Sequence, residues 1–103
     1  DLGATKSFFG KVFGWSFQDY GPDYSSFSSE AAGLNGGFFK SELMASSTNG
    51  SALIVIYSSN VEETRTKVID AGGSIVKEIF SFPGGRRFHF SDPSGNEFAV
   101  WSE

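Results

Sequence analysis

Apolar positions in this chain alternate between a helical and an extended rhythm, and the clearest helix lies just past the middle. Asn60 followed three places later by Glu63 forms a capping box, in which each side chain satisfies an amide of the first turn. Val61, Thr64, Val68 and Ala71 then recur at spacings of three and four, and Gly72-Gly73 closes the run with residues able to take positive φ. A helix over 61–71 is predicted. Before it, residues 52–57 (Ala-Leu-Ile-Val-Ile-Tyr) form a short, β-branched run between serines, which reads as a well-buried strand. Strands over 74–80, 87–91 and 97–101 follow. The last two are joined by Asp92-Pro93-Ser94-Gly95-Asn96, where Asp at the first turn position, Pro at the second and Gly at the fourth favour a type I turn. This half reads β-α-β-β-β.

Laid over that helix at an offset of 59, the start of the chain matches it: Asp1 falls on Asn60, Thr5 on Thr64 and Gly14 on Gly73. Leu2, Phe9, Val12 and Phe13 make an apolar helical stripe, with Thr5 and Phe8 beside it. Weaker strands are expected over 15–19, 24–27 and 34–40, separated by Gly21-Pro22 and by residues 31–33. This half reads α-β-β-β, a tandem copy of the same unit whose first strand is missing from the numbered chain. The serine-rich stretch 41–51 lies between the copies and serves as their connection. The expected organisation is one domain, with module one over 1–43, a linker over 44–51 and module two over 52–103.

Composition narrows the function. Twelve Phe and thirteen Gly imply an aromatic interior with many tight turns. A net charge of −4 leaves no basic field for phosphates, so no nucleic-acid partner is expected. With no Cys there is neither a disulfide nor a thiolate metal site, which fits a cytoplasmic setting. The longest apolar run is far short of a bilayer span, so no membrane partner is expected.

The helix end Ala4-Thr5-Lys6-Ser7-Phe8-Phe9-Gly10-Lys11-Val12-Phe13-Gly14-Trp15 and the hairpin Asp92-Pro93-Ser94-Gly95-Asn96-Glu97 together resemble the vicinal oxygen chelate superfamily. That group includes glyoxalase I, bleomycin-binding resistance proteins, fosfomycin resistance enzymes and extradiol dioxygenases. The resemblance implies an α+β fold of two tandem βαβββ modules forming a cupped, partly open mixed sheet, frequently completed by a second chain. A homodimer is the expected assembly, since a missing strand leaves a sheet edge unpaired. The resemblance also implies a metal site in the catalytic members, and here the sequence departs from them. The module-two position usually held by His falls on or near Leu53, the last-strand Glu position falls on Ala99, and 33–40 contains no His, Asp or Glu. Three protein donors are the usual minimum, so no metal and no cofactor are expected.

Strand alternation from these positions assigns the remaining cavity wall. If Ala99 faces the cup, so do Glu97 and Trp101, while Phe98 and Val100 pack under the helices. Leu53, Val55 and Tyr57 share that face. Placing Phe88 and Phe90 against the helix leaves Arg87 and His89 for the cup, with Phe38 as a further wall. These residues suit a small, aromatic or amphipathic ligand. Each has a plainer role as well: His89 as a packed strand residue, Glu97 as a turn carboxylate, Arg86-Arg87 as a solvated hairpin and Trp15 as core. The alternative is a metal-dependent lyase or dioxygenase that recruits Glu97, Glu42 or His89 together with ligands from the missing strand or a partner chain. In a third reading, the Phe residues simply fill the cup.

Overall fold

The computed structural model describes residues 1–29, 34–41 and 43–103. Helix α1 (Leu2–Phe13) is followed by strands β1 (Ser16–Asp19), β2 (Tyr24–Ser29) and β3 (Leu34–Phe39). A single 3-10 turn, Ser47–Asn49, precedes β4 (Ile54–Tyr57), α2 (Val61–Asp70), β5 (Ser74–Phe82), β6 (Gly85–Ser91) and β7 (Glu97–Ser102). The fold is α+β. The first three strands form an antiparallel sheet in the order β1-β2-β3, and the other four form a mixed sheet in the order β4-β7-β6-β5. In the second sheet β4 runs parallel to β7, so the first strand of its unit lies beside the last.

Both helices start at a side-chain cap, although only half of the expected capping box forms: the Asn60 amide donates to Ser58 Oγ, and the Glu63 carboxylate turns to Lys67. The side chain of Asp1 accepts from the amide of Ala4, and that of Asn60 from the amide of Glu63, the same contact at both ends of the offset. Gly14 closes α1 in the left-handed region at φ 71°. Helix α2 ends sooner, at Asp70, with Ala71 as its cap and the positive φ, 95°, on Gly72. Gly73 serves a different purpose: a Cβ there would lie 2.8 Å from both the Phe8 ring and a Val68 methyl, so its bareness lets the helices approach. Gly73→Ala is therefore expected to lower stability by about 1–3 kcal/mol through overpacking, measured as a lower urea midpoint with an unchanged m-value. An unaltered midpoint would show that the two side chains yield freely.

The interior is an aromatic stack. Phe8, Phe9, Val12, Trp15, Val61, Val68, Phe88, Phe90, Phe98 and Val100 form the buried cluster. Trp15 lies flat between Phe9 and Phe27, with ring centroids 4.9 and 4.3 Å away, in the packing role the sequence suggested. Two expectations need correction. The run 52–57 is not a well-buried strand: β4 begins at Ile54 and ends the sheet with β7 as its one neighbour, leaving Ile54, Val55 and Tyr57 about half exposed. Strand β5 also runs on to Phe82 and β6 begins at Gly85, which shortens the intervening loop to Pro83-Gly84. The expected separator at 31–33 lies outside the described residues.

Candidate functional site

Register settles which side chains share a face of the four-stranded sheet. In β6 and β7, Phe88 pairs with Val100 and Phe90 with Phe98, and all four lie in the core beneath the helices. The intervening residues must point the other way. His89 opposite Ala99 and Arg87 opposite Trp101 therefore share the helix-free face, which Val55 beside Ala99 and Tyr57 beside Trp101 extend through β4. Strand β5 adds Phe80 opposite Arg87 and Lys77 opposite His89, with an irregularity between them that puts Lys77 rather than Glu78 at that place.

At the start of β7 this face is closed over. Glu97 is only 6% exposed and its carboxylate is fully engaged: Oε1 accepts from the Ser47 amide and hydroxyl, both at 2.8 Å, and Oε2 lies 3.0 Å from His89 Nδ1. The segment before β4 is laced to the same strand, since the Glu97 amide donates to Ala45 O at 2.7 Å and the Ala45 amide donates to Asn96 Oδ1 at 2.8 Å. The His89 contact, followed by the Ser47 amide, holds the Glu97 carboxyl at about 2 rather than the usual 4.5, against the opposing effect of burial. Against a carboxylate acceptor, His89 Nδ1–H is the donor of this contact, and the other ring nitrogen is Nε2. That atom is buried and without a partner, and His89 as a whole is 3% exposed. Glu97 thus positions His89 and anchors the connecting segment, with no oxygen left over for a ligand.

The open end of the face is aromatic. Tyr57 meets Trp101 edge-on at 5.0 Å, and Phe82 meets Trp101 edge-on at 6.5 Å. The Arg87 guanidinium carbon lies 5.0 Å from the ring centroids of both Phe80 and Phe82. Phe80 in turn lies 6.0 Å from the His89 ring. The Tyr57 hydroxyl donates to Glu103 at 3.0 Å, a contact that raises the tyrosine pKa.

The expected residues are thus mostly neighbours. Val55, Tyr57, Arg87, His89, Glu97, Ala99 and Trp101 lie together on one face, and Leu53 stands just before β4. Phe38 does not join them. It stacks on Phe9 at 5.2 Å and lies 5.5 Å from Phe27, so it belongs to the core under α1. Its neighbours in register explain why: Phe38 opposes the fully buried Ser25, two residues from Phe27 on the same face of β2. The sequence reading also missed Phe80, Phe82 and Ser47. A two-residue turn at Pro83-Gly84 would have aligned Phe80 with Arg87 by counting, whereas nothing in the spacing marks Ser47. A separate depression of about 310 Å³ lies on the other sheet, lined by Ser16, Phe17, Gln18, Ser26, Phe27 and Ser28, and carries no titratable side chain.

The donor set fits a metal poorly. Among the described residues no three His, Cys, Asp or Glu side chains come together, and His89 and Glu97 are bonded to each other. Glu42, named for a metal site in the alternative reading, lies outside the described residues. Arg86 is tied to Glu62 of α2 at 2.9 Å, away from this face.

Two cap-matched helix units, a parallel β4–β7 pair and the Asp92–Gly95 turn define a glyoxalase-like α+β protein. The sequence pattern of the Glyoxalase/Bleomycin resistance protein/Dioxygenase superfamily matches residues 1–100, and the chain belongs to that superfamily. No curated protein sequence matches the chain. Solved structures that resemble it include a glyoxalase/bleomycin resistance protein/dioxygenase family enzyme from Burkholderia phytofirmans, with a TM-score of 0.76 at 16% identity over 97% of this chain and 88% of that one. A glyoxalase-related enzyme from Fulvimarina pelagi has a TM-score of 0.77 at 18% identity over 100% and 81% of the two chains. A member of the superfamily from Sphaerobacter thermophilus has a TM-score of 0.71 at 19% identity over 100% and 89%. At these identities the likeness concerns the fold alone. No helix is long and apolar enough to cross a membrane among the described residues.

Proposed function

We propose that the helix-free face of the four-stranded sheet binds a small aromatic or amphipathic molecule without a bound metal. The observation that supports this most is the juxtaposition of Tyr57, Trp101 and Phe82 with Arg87 and His89 on one face. Flat apolar walls beside a few fixed polar groups are what such a ligand needs. Leu53 and Ala99, where the superfamily resemblance calls for metal ligands, cannot coordinate anything. They give the floor an apolar character instead.

Of the two tryptophans, Trp15 is buried in the core and Trp101 lies half-buried on the proposed face, so quenching reports the face selectively. Titration with a panel of aromatic compounds is expected to quench the wild-type fluorescence saturably, and Trp101→Phe is expected to remove that response. No saturable quenching by any compound would overturn the reading. Near-stoichiometric retention of Zn, Ni, Mn, Fe or Co after incubation and removal of free metal would overturn the metal-free part of it.

A further inference from the structure

Arg87 stands out once the charges are accounted for. Lys6 pairs with Asp19, Arg65 with Glu78, Lys67 with Glu63 and Arg86 with Glu62. Arg87 pairs with no carboxylate among the described residues, its Nε is buried without a hydrogen-bond partner, and the residue is half-buried. A guanidinium with one N–H withdrawn from water in this way keeps an unmet demand for an acceptor, which contact with two phenyl rings meets only in part. The ring contacts do fix its position, with the guanidinium carbon 5.0 Å from Phe80 and from Phe82, so little order remains to be gained on binding. The acids nearby are already engaged: Glu97 by Ser47 and His89, and Glu103 by Tyr57. The other cation aligned on this face, Lys77, is exposed.

We propose that the ligand of this face is an aromatic carboxylate, with Arg87 receiving the carboxylate and Phe82, Trp101 and Tyr57 contacting the ring. This rests on the binding reading above and names the chemical class it takes. The forked donors of arginine match the two oxygens of a carboxylate, and a planar ring suits walls that meet edge to face. A neutral amide of the same shape keeps the ring contacts and loses the charge, which makes it the discriminating probe.

The test is calorimetric titration of the whole chain with matched acid and amide pairs: benzoate and benzamide, 2-naphthoate and 2-naphthamide, indole-3-acetate and indole-3-acetamide. At least one acid is expected to bind ten-fold or more tightly than its amide. Arg87→Gln is expected to abolish that preference by weakening the acid far more than its amide, and Arg87→Lys to retain part of it. Arg86→Gln, which breaks the pair with Glu62 instead, is expected to keep the preference. Equal affinity for acid and amide in the wild type, or a preference that survives in a folded Arg87→Gln variant, overturns the carboxylate assignment and leaves the binding reading standing. Failure of every acid and every amide to bind overturns both.

Discussion

Replacing Phe9 by alanine is expected to lower the unfolding free energy by about 3–5 kcal/mol, the cost of truncating a fully buried aromatic residue. Phe9 is fully buried, and its ring touches both sheets: Phe38 of β3 at 5.2 Å and Phe98 of β7 at 5.0 Å, with Trp15 at 4.9 Å and Phe13 at 5.7 Å. Among the described residues no strand pairs across the two sheets, so ring contacts of this kind help to join them. Because small domains are stable by only about 5–15 kcal/mol, a loss of this size removes a large part of the margin. It should also loosen the link between the sheets, broadening the urea transition or splitting it as followed by Trp15 and by far-UV circular dichroism. Tyr20→Ala, at a side chain 60% exposed, is the control and is expected to change little. A loss below about 1 kcal/mol for Phe9→Ala would mean that the neighbouring rings close the gap.

Much of this architecture is legible in the residues. The helix starts are local, set by Asp1 and Asn60 and the amides three places on, so the offset of 59 reproduces them in both halves. The pairing of polar and aromatic residues along 87–91 and 97–101 is equally readable, because period-two alternation fixes a face once one member is assigned. What the sequence hides is non-local. Phe38 sits in a run of Gly and Phe with no alternation, and its face follows from the register with β2. The exposure of β4 depends on its place at the end of a sheet, which a β-branched run cannot reveal. The engagement of Glu97 depends on Ser47, fifty residues away along the chain and in a stretch whose composition signals only a connection. Its carboxylate could therefore be read as a free lining group, although three donors surround it.

That arrangement has a distinct signature in acid. The Glu97 carboxyl is held at about 2 in the folded protein and returns to its ordinary 4.5 when the chain unfolds. As the pH falls below about 5, the unfolded chain takes up a proton that the folded one still refuses, so stability declines through this window toward pH 2. The benefit is complete above the ordinary carboxylate range and lost below it. Glu97→Gln keeps the length of the side chain but presents an NH₂ group to donors, His89 Nδ1–H or the Ser47 amide and hydroxyl. At neutral pH it is expected to cost about 1–3 kcal/mol, the penalty of leaving a buried donor unsatisfied. The variant's stability should fall less steeply in acid, so the two curves converge as the pH approaches 2. Asp19, Glu62 and Glu78 are exposed acids whose pKa values are also lowered, by Lys6, Arg86 and Arg65 respectively, and they contribute the same background to both proteins. Ser47→Ala removes one of the three donors and should give a smaller loss with a partly flattened acid limb. Chemical unfolding at a series of pH values measures all three. Parallel curves for wild type and Glu97→Gln would show that the carboxylate is not held by His89 and Ser47 in solution, and that the segment before β4 is anchored through its backbone contacts at Ala45 instead.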